Sequence, residues 1–263
     1  MSVLPAEDIA PGGGSSMPFY DREEKILNIL LEKETITIRE LSEKLFVSIP
    51  TLRRDLVKLE EKGKIIRTHG GAQLVKKSAD EKIPFFLREQ EQNDAKSIMA
   101  KKAVEYVKDG DIIMLDGSTS AYNIIPLLAD FRNLIVITSS AKSSFLLGKM
   151  GISNICTGGR MITRSLSYVG EEAERTAANY NADVVFFSCR GLSMDGKLTD
   201  NSIEENSLRR VMIRQAKKKI FLCDSSKIGK TCLNNLCHLS EVDEMICEEK
   251  VPEKVLERMK TFV

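Results

Sequence analysis

Apolar residues recur at helical spacing early in the chain and in short solid bursts later, and this change of rhythm divides it. From Glu23 to Glu32 a helix is predicted, with Ile26, Ile29 and Leu30 on one side. Thr37-Ile38-Arg39-Glu40 has the T-x-x-E form of a capping box and opens a second helix carrying Leu41 and Leu45 inward. After a short turn, Phe46-Val47-Ser48, a third helix begins. Ser48 supplies a capping hydroxyl, and Pro50 sits in the first turn, where a missing N–H costs nothing. Leu52, Leu56 and Leu59 follow at i, i+4, i+7 as one buried face. Lys64–Arg67 and Ala72–Leu74 then flank Thr68-His69-Gly70-Gly71, which predicts a β-hairpin.

The second rhythm starts after a polar stretch, Val75 to Glu81, that has no apolar period. Pro84-Phe85-Phe86 brings an apolar segment expected to pack back onto the second domain. From Asn93 a helix is predicted, with Ile98, Ala103, Val104 and Val107 on one face and Gly110 ending it. Six bursts come after it, at Asp111–Leu115, Leu134–Thr138, Ser153–Cys156, Asp183–Phe187, Lys219–Cys223 and Asp243–Cys247. Several are Val/Ile/Phe runs without polar alternation, as expected of strands covered on both faces. Separated mostly by helix-length segments, they predict an α/β domain on a largely parallel sheet.

Charge sharpens the reading of the first part. The chain carries a net charge of only +1, yet eight Lys/Arg face three acids between Ser48 and Lys77. Thr51, Arg53, Arg54 and Lys58 flank the apolar stripe of the third helix. An amphipathic surface helix could also look like this. Three short helices with a tight turn before the basic one, followed by a hairpin, favour a winged helix-turn-helix that lays its third helix in a DNA major groove.

Composition limits the alternatives. At 263 residues the chain has room for one small and one ordinary domain, and 42% hydrophobic with 29% charged residues suits a globular protein. No apolar run approaches the roughly 20 residues of a membrane span. The opening MSVLPAEDIAPGGGSS lacks a basic segment and an apolar core, so a signal peptide is not expected. With the linker-like Gly12-Gly13-Gly14-Ser15-Ser16, residues 1–16 are expected to be a disordered arm, an upstream start or an added remnant. Six cysteines form no C-x-x-C pair and only two histidines are present, so no metal site is predicted. Unpaired thiols suit a reducing cytoplasm. No cofactor is expected.

In an open parallel sheet, ligands bind at the carboxyl ends of the strands. The first strand ends in Asp116-Gly117-Ser118-Thr119-Ser120, running into a helix start that suits an anion. The second ends in Thr138-Ser139-Ser140, the third leads into Thr157-Gly158-Gly159-Arg160, and the fifth ends in Asp224-Ser225-Ser226-Lys227. Singly, such clusters are how ordinary turns are built. Four at the same ends of four strands favour one shared anion site.

The run Arg22 to Leu74, with Thr51-Leu52-Arg53-Arg54-Asp55-Leu56 and the G-x-I-x-R-x-H-G-G wing from Gly63 to Gly71, resembles the winged helix-turn-helix of the DeoR family of bacterial transcriptional repressors. Later stretches, DGDIIMLDGSTS, TGGRM, Gly170-Glu171 and DSSKIG, resemble that family's effector domain, itself similar to ribose-5-phosphate isomerases. The expected fold is therefore α/β overall, with a small winged helix-turn-helix domain at 17–74, a linker at 75–82 and a larger Rossmann-like α/β effector domain at 83–263.

The resemblance implies a cytoplasmic repressor of a carbohydrate operon that binds double-stranded operator DNA as a homo-oligomer, dimer or tetramer, without a membrane partner. It implies control by a phosphorylated sugar. Thr51, Arg53 and Arg54 would meet base edges or phosphates, and Arg67 and His69 phosphate or minor groove. Thr37, Ser48, Lys58 and Gly70 complete the DNA-facing set. Gly117, Ser118, Thr119 and the Ser139/Ser140 loop would hold phosphate, with Asp116 in the same effector-binding set and Gly158 and Gly159 allowing close approach. Lys227 with Asp200, Glu204 or Glu205 would face sugar hydroxyls. Arg190 would be either a further anion contact or a salt-bridged structural residue.

The sequence departs from the family where Ser139-Ser140 and Cys247-Glu248 stand at two strand ends and where Arg190 replaces a small residue. The alternative, a sugar-phosphate isomerase or deaminase with an appended DNA-binding domain, needs a carboxylate beside the reacting carbon. The loop Ser188-Cys189-Arg190-Gly191 has none, so no enzymatic activity is expected.

Overall fold

The structure, a computed structural model, describes residues 18–33, 35–61, 64–68, 70–74 and 85–259. The expected N-terminal arm, the 75–82 linker and His69 lie outside the described residues. The chain divides into two compact units, Met1–Ser78 and Ala79–Val263. Among the described residues no helix is long and apolar enough to cross a membrane.

The first unit runs α1 (Phe19–Lys33), β1 (Thr35–Thr37), α2 (Ile38–Leu45), α3 (Ile49–Glu61), β2 (Ile65–Thr68) and β3 (Gly71–Leu74). Ile26, Leu27 and Leu30 of α1 are buried, as are Leu41 and Leu45 of α2 and Leu52, Leu56 and Leu59 of α3. The helical spacing predicts these stripes, although α1 begins four residues earlier than its pattern suggests. The capping box at Thr37 is formed: Glu40 N–H donates to Thr37 Oγ1 at 3.2 Å and Thr37 N–H to Glu40 Oε2 at 3.0 Å. Phe46 ends α2 in the left-handed region, at φ 53°, and turns the chain into α3. The predicted hairpin is β2–β3, and Thr-Ile-Thr adds β1 to its other side, giving the antiparallel order β1-β3-β2. Gly71 permits that crossing, since a Cβ there would lie 1.9 Å from the carbonyl oxygen of Ile36. This is a winged helix-turn-helix.

The second unit opens with α4 (Phe85–Gln90) and α5 (Asn93–Ala103), then β4 (Ile112–Leu115), α6 (Thr119–Tyr122), β5 (Ile135–Thr138), α7 (Ala141–Lys149) and β6 (Ser153–Cys156). The hairpin β7 (Arg160–Ile162) and β8 (Ser167–Val169) precedes α8 (Glu171–Ala178) and β9 (Ala182–Phe187). Next come β10 (Gly191–Leu192), β11 (Lys197–Asp200), α9 (Ile203–Arg214), β12 (Ala216–Leu222), β13 (Asn234–His238), β14 (Glu244–Ile246) and α10 (Glu253–Leu256).

The six apolar bursts are the six strands of one parallel sheet, in the order β14-β12-β9-β4-β5-β6. Its strands alternate between two cores, which explains runs that are apolar throughout. Ile113, Leu115, Val136, Phe186 and Leu222 face α5, α6 and α7, where Met99, Ala103, Ala121 and Leu147 pack against them. Met114, Ile137, Val185, Phe187 and Phe221 face α8 and α9, against Ala173, Ala177, Leu208 and Met212. The chain builds outward from β4 through β6 and then returns to the other side of β4 with β9. That reversal leaves a crevice beyond the carboxyl ends of β4 and β9, the usual ligand position in such sheets. A small antiparallel sheet, β10-β11-β13, which the sequence pattern does not reveal, comes after β9 and contributes Asp200 at its border.

Candidate functional site

On α3 the inward leucines leave Arg53, Arg54 and Lys58 exposed on the outer face. Asp55 does not join them. It is buried, and Arg22 of α1 grips it with Nε to Oδ2 at 2.7 Å and Nη2 to Oδ1 at 3.1 Å, fixing the basic helix to the head. The Ser48 and Thr51 hydroxyls pair with each other at 2.9 Å. Arg67 of β2 is tied to the last turn of α3: its Nε donates to Glu60 Oε2 at 2.7 Å and its N–H to Oε1 at 3.0 Å. Gly70 is exposed and its carbonyl accepts Ile38 N–H at 2.8 Å. Arg53, Glu60, Arg67, Thr68 and Gly70 line a groove of about 380 Å³ between helix and wing. Thr37 does not line that groove, although its neighbour Ile38 does, and its side chain is occupied with the cap.

The larger unit holds a cavity of about 410 Å³ at the crevice. Behind its wall lies Asp116, at the end of β4, with all its acceptor positions engaged. Its Oδ1 receives Ser118 N–H at 3.1 Å and the Ser118 hydroxyl at 2.5 Å, and its Oδ2 receives Ser188 N–H at 3.2 Å and Arg209 Nε at 2.8 Å. One carboxylate therefore holds the loops after β4 and β9 together. Gly117 comes next in the chain because a Cβ there would meet Ser167 Oγ at 1.9 Å. Ser118 then caps α6, accepting Ala121 N–H at 3.1 Å. Thr119 and Ser120 reach the cavity, and the buried Ser120 hydroxyl has no hydrogen-bond partner among the described residues.

Among the described residues, seven cationic side chains and four carboxylates line this cavity. Asp200 is committed to Arg190 and Arg209, each at 3.6 Å, and Glu205 to Arg164 at 3.5 Å. Burial raises the Glu205 pKa, but Arg209, a hydrogen bond with Ser165 and the Arg88 and Arg164 guanidiniums outweigh it and hold the carboxyl below its usual value. Lys227 donates to Ser188 Oγ at 2.8 Å and pairs with Asp224 Oδ2 at 3.0 Å. Burial disfavours its charge, yet Asp224 keeps its pKa above the ordinary lysine value. Lys96 of α5 donates to the carbonyls of Arg88 and Glu91, and burial followed by repulsion from Lys227 lowers its pKa to about 8. Arg88 of α4 leaves its buried Nε without a hydrogen-bond partner among the described residues, and burial lowers its pKa too.

The structure brings Gly117, Ser118, Thr119, Arg190, Asp200, Glu205 and Lys227 into this one wall. Ser139 lies behind it, in a small void shared with Asp116 and Gly117, where its carbonyl accepts Tyr168 N–H at 2.7 Å. Ser140 caps α7 by accepting Ser143 N–H at 3.1 Å. Gly158 and Gly159 adopt left-handed φ values of 67° and 99° in the turn between β6 and β7, outside the cavity lining. Glu204 points to the surface and pairs with Arg160. Sequence reasoning missed Arg88, Lys96, Arg164 and Arg209. For Lys96 and Arg209 a signal existed: each interrupts the apolar stripe of its helix, beside Met99 and Ala100 in one case and Leu208 and Met212 in the other.

The chain matches the DeoR-like helix-turn-helix domain over residues 22–78 and the DeoR C terminal sensor domain over residues 91–249. It belongs to the DeoR family of transcriptional regulators. The uncharacterized HTH-type transcriptional regulator YulB of Bacillus subtilis is 36% identical over 87% of this chain and 88% of its own length. The HTH-type transcriptional regulator GolR of Listeria innocua is 35% identical over 88% and 91%. The lactose phosphotransferase system repressor of Staphylococcus epidermidis is 30% identical over 93% and 97%. Among solved structures, ribose 5-phosphate isomerase a from Methanocaldococcus jannaschii is similar at a TM-score of 0.40 and 19% identity, covering 52% of this chain and 55% of that chain. That likeness is too slight to bear on activity.

Proposed function

We propose that this protein represses an operon of carbohydrate metabolism and that a phosphorylated sugar, held in the cavity of the sensor unit, sets its affinity for operator DNA. The observation that carries the reading is the cavity wall, which among the described residues has a surplus of cations, an unpartnered hydroxyl at Ser120, and carboxylates at Asp200 and Glu205. Cations with hydroxyls and backbone N–H groups suit a phosphate. Carboxylates accept from sugar hydroxyls. The name of the Staphylococcus epidermidis relative, a repressor of a lactose phosphotransferase system, agrees with a sugar-linked role.

In this reading Lys227 and the loop from Gly117 to Ser120 take the phosphate, with Arg190 beside it, and Asp200 and Glu205 take hydroxyls. Arg53, Arg54 and Thr51 read base edges or neighbouring phosphates, and Arg67 and His69 in the wing reach the backbone. The head spans 17–74, the linker 75–82 and the sensor 83–263. Two heads on one operator call for a symmetric dimer or tetramer in the cytoplasm. A sugar phosphate regulates by binding the DNA-competent and incompetent states unequally, with a coupling of about 1–3 kcal/mol.

An isomerase reading is less well supported. Proton abstraction calls for a carboxylate with a pKa near the working pH. Glu205 is instead held below the carboxylate range, and Asp200 is engaged with two guanidiniums. Calorimetric titration of the full chain with phosphorylated sugars and their unphosphorylated parents tests the proposal. It expects binding confined to phosphorylated compounds and lost in Lys227→Ala. Equal affinity for a parent sugar would remove the phosphate from the account.

A further inference from the structure

Arg88 lies on α4, the first described element after the DNA-binding head in sequence, and yet it lines the sensor cavity. Its Nε is buried with no hydrogen-bond partner among the described residues. The nearby carboxylates do not resolve this. Glu205 is paired with Arg164 and Asp200 with Arg190 and Arg209, and although both carboxylates act on the Arg88 charge, neither comes within ion-pair distance of it. A buried guanidinium edge without an acceptor, facing a cavity, is suited to an anion that arrives from solution.

The helix that bears Arg88 is held at both ends by residues of the same cavity. At its start, Phe85 N–H donates to the Arg164 carbonyl at 2.7 Å, and the buried Phe85 ring meets Tyr122 edge-on at 5.5 Å. At its end, the Lys96 ammonium donates to the carbonyls of Arg88 and Glu91. Glu89 pairs with Lys142 on the outer side. α4 has only six residues, too few to hold a helix by itself, so these contacts define its position.

We infer that Arg88 is a ligand for the effector's anionic group, and that the anion thereby fastens α4, the segment through which the sensor is joined in sequence to the DNA-binding head. This rests on the reading of the cavity as an anion site and adds to it the element that senses occupancy. An anion clamped between Arg88 on α4 and Lys227 at the end of β12 resists any opening that carries α4 away from the sheet. An effector without an anionic group fills the cavity but leaves α4 as it was.

The test is hydrogen–deuterium exchange on the full chain, with and without inorganic phosphate, alongside calorimetry of phosphate binding to the wild type and to Arg88→Gln. At phosphate about ten times its dissociation constant, amides of α4 are expected to exchange about tenfold more slowly. Arg88→Gln is expected to bind phosphate about tenfold or more weakly and to show no such protection. Arg88→Lys keeps the charge without the planar fork and is expected to fall between them, so a misfolded glutamine variant does not remove the test. Phosphate binding to both wild type and Arg88→Gln with equal affinity, and unchanged exchange in α4, would overturn the inference while leaving the anion site standing. No phosphate binding by the wild type would overturn both.

Discussion

Arg209 Nε donates to Asp116 Oδ2 at 2.8 Å, joining α9 to the end of β4 across 93 residues of sequence in a buried contact. Asp116 in turn orders the Ser118 and Ser188 loops, so this pair sets the shape of the cavity floor. Arg209 also reaches Asn206 Oδ1 at 2.6 Å, which satisfies a second edge of the guanidinium. Removing one member of a buried, hydrogen-bonded pair leaves the other charge uncompensated, typically at about 3–5 kcal/mol. Arg209→Met is therefore expected to lower the sensor's urea unfolding free energy by about that amount. A loss below about 1 kcal/mol would show that the pair does not organise the floor.

Gly117 and Ser167 make a steric prediction. A methyl at Gly117 would overlap Ser167 Oγ at 1.9 Å and its Cβ at 2.9 Å, with Ser139 Oγ next at 3.5 Å. Gly117→Ala should destabilise the sensor by about 1–3 kcal/mol. The double variant with Ser167→Gly removes the clash and should recover most of the loss in thermal melting. Failure of the second change to rescue the first would place the strain elsewhere.

Lys96 gives a pH prediction of two opposite signs. Its pKa in the folded chain is lowered to about 8 from an ordinary 10.5, by burial and by Lys227. Between those values the unfolded chain carries a proton that the folded chain does not, so this residue makes stability rise with pH in that window. A neutral amine still donates to the Arg88 and Glu91 carbonyls but no longer attracts an anion. Affinity for a sugar phosphate, already dianionic above about pH 7, should therefore fall over the same range. Lys96→Met should flatten both trends, and a wild-type affinity that stays constant from pH 7.5 to about pH 10 would contradict the assignment.

The two units should separate by mutation. Arg53→Ala removes an exposed side chain and is expected to cost about 1–3 kcal/mol of operator binding in anisotropy, with the melting temperature unchanged. Asp55→Asn, by contrast, loosens the bidentate Arg22 contact and should lower the melting temperature of the head. Lys227→Ala should leave DNA affinity in place and raise the sugar-phosphate concentration needed for a response about tenfold or more. Loss of DNA binding in Lys227→Ala without effector present would contradict that division of labour.

Much of the fold is legible because its physics is local. Leu52, Leu56 and Leu59 declare a buried helical face, and runs such as Val184 to Phe187 declare strands with two covered faces. Elements lacking such patterns escape the sequence. β1 has three residues and is placed by the fit of Gly71 beneath it, while β10 has two and depends on pairing with β11. At the cavity, Gly117, Ser118 and Lys227 can be found from their places after strands. Arg209 shows only as a break in the apolar stripe of α9, and its partners Asp116 and Asp200 meet it only after folding. Arg88 has no such mark, since the cavity it lines is built from residues distant in sequence. Asp55 reads as surface charge of α3 for the same reason: its partner, Arg22, lies 33 residues earlier. Ser140 and Gly158 show the converse, since capping and turn formation use the same residue types as anion binding.

The central claim is that one molecule joins a DNA-binding head to a sensor of phosphorylated sugars. Fluorescence anisotropy on DNA from upstream of the protein's own operon, repeated with a panel of sugar phosphates and their unphosphorylated parents, tests it most directly. The account predicts tight, salt-sensitive binding that one phosphorylated compound releases and its parent sugar does not. Tight binding that ignores every phosphorylated compound, or that yields equally to a parent sugar, would contradict it.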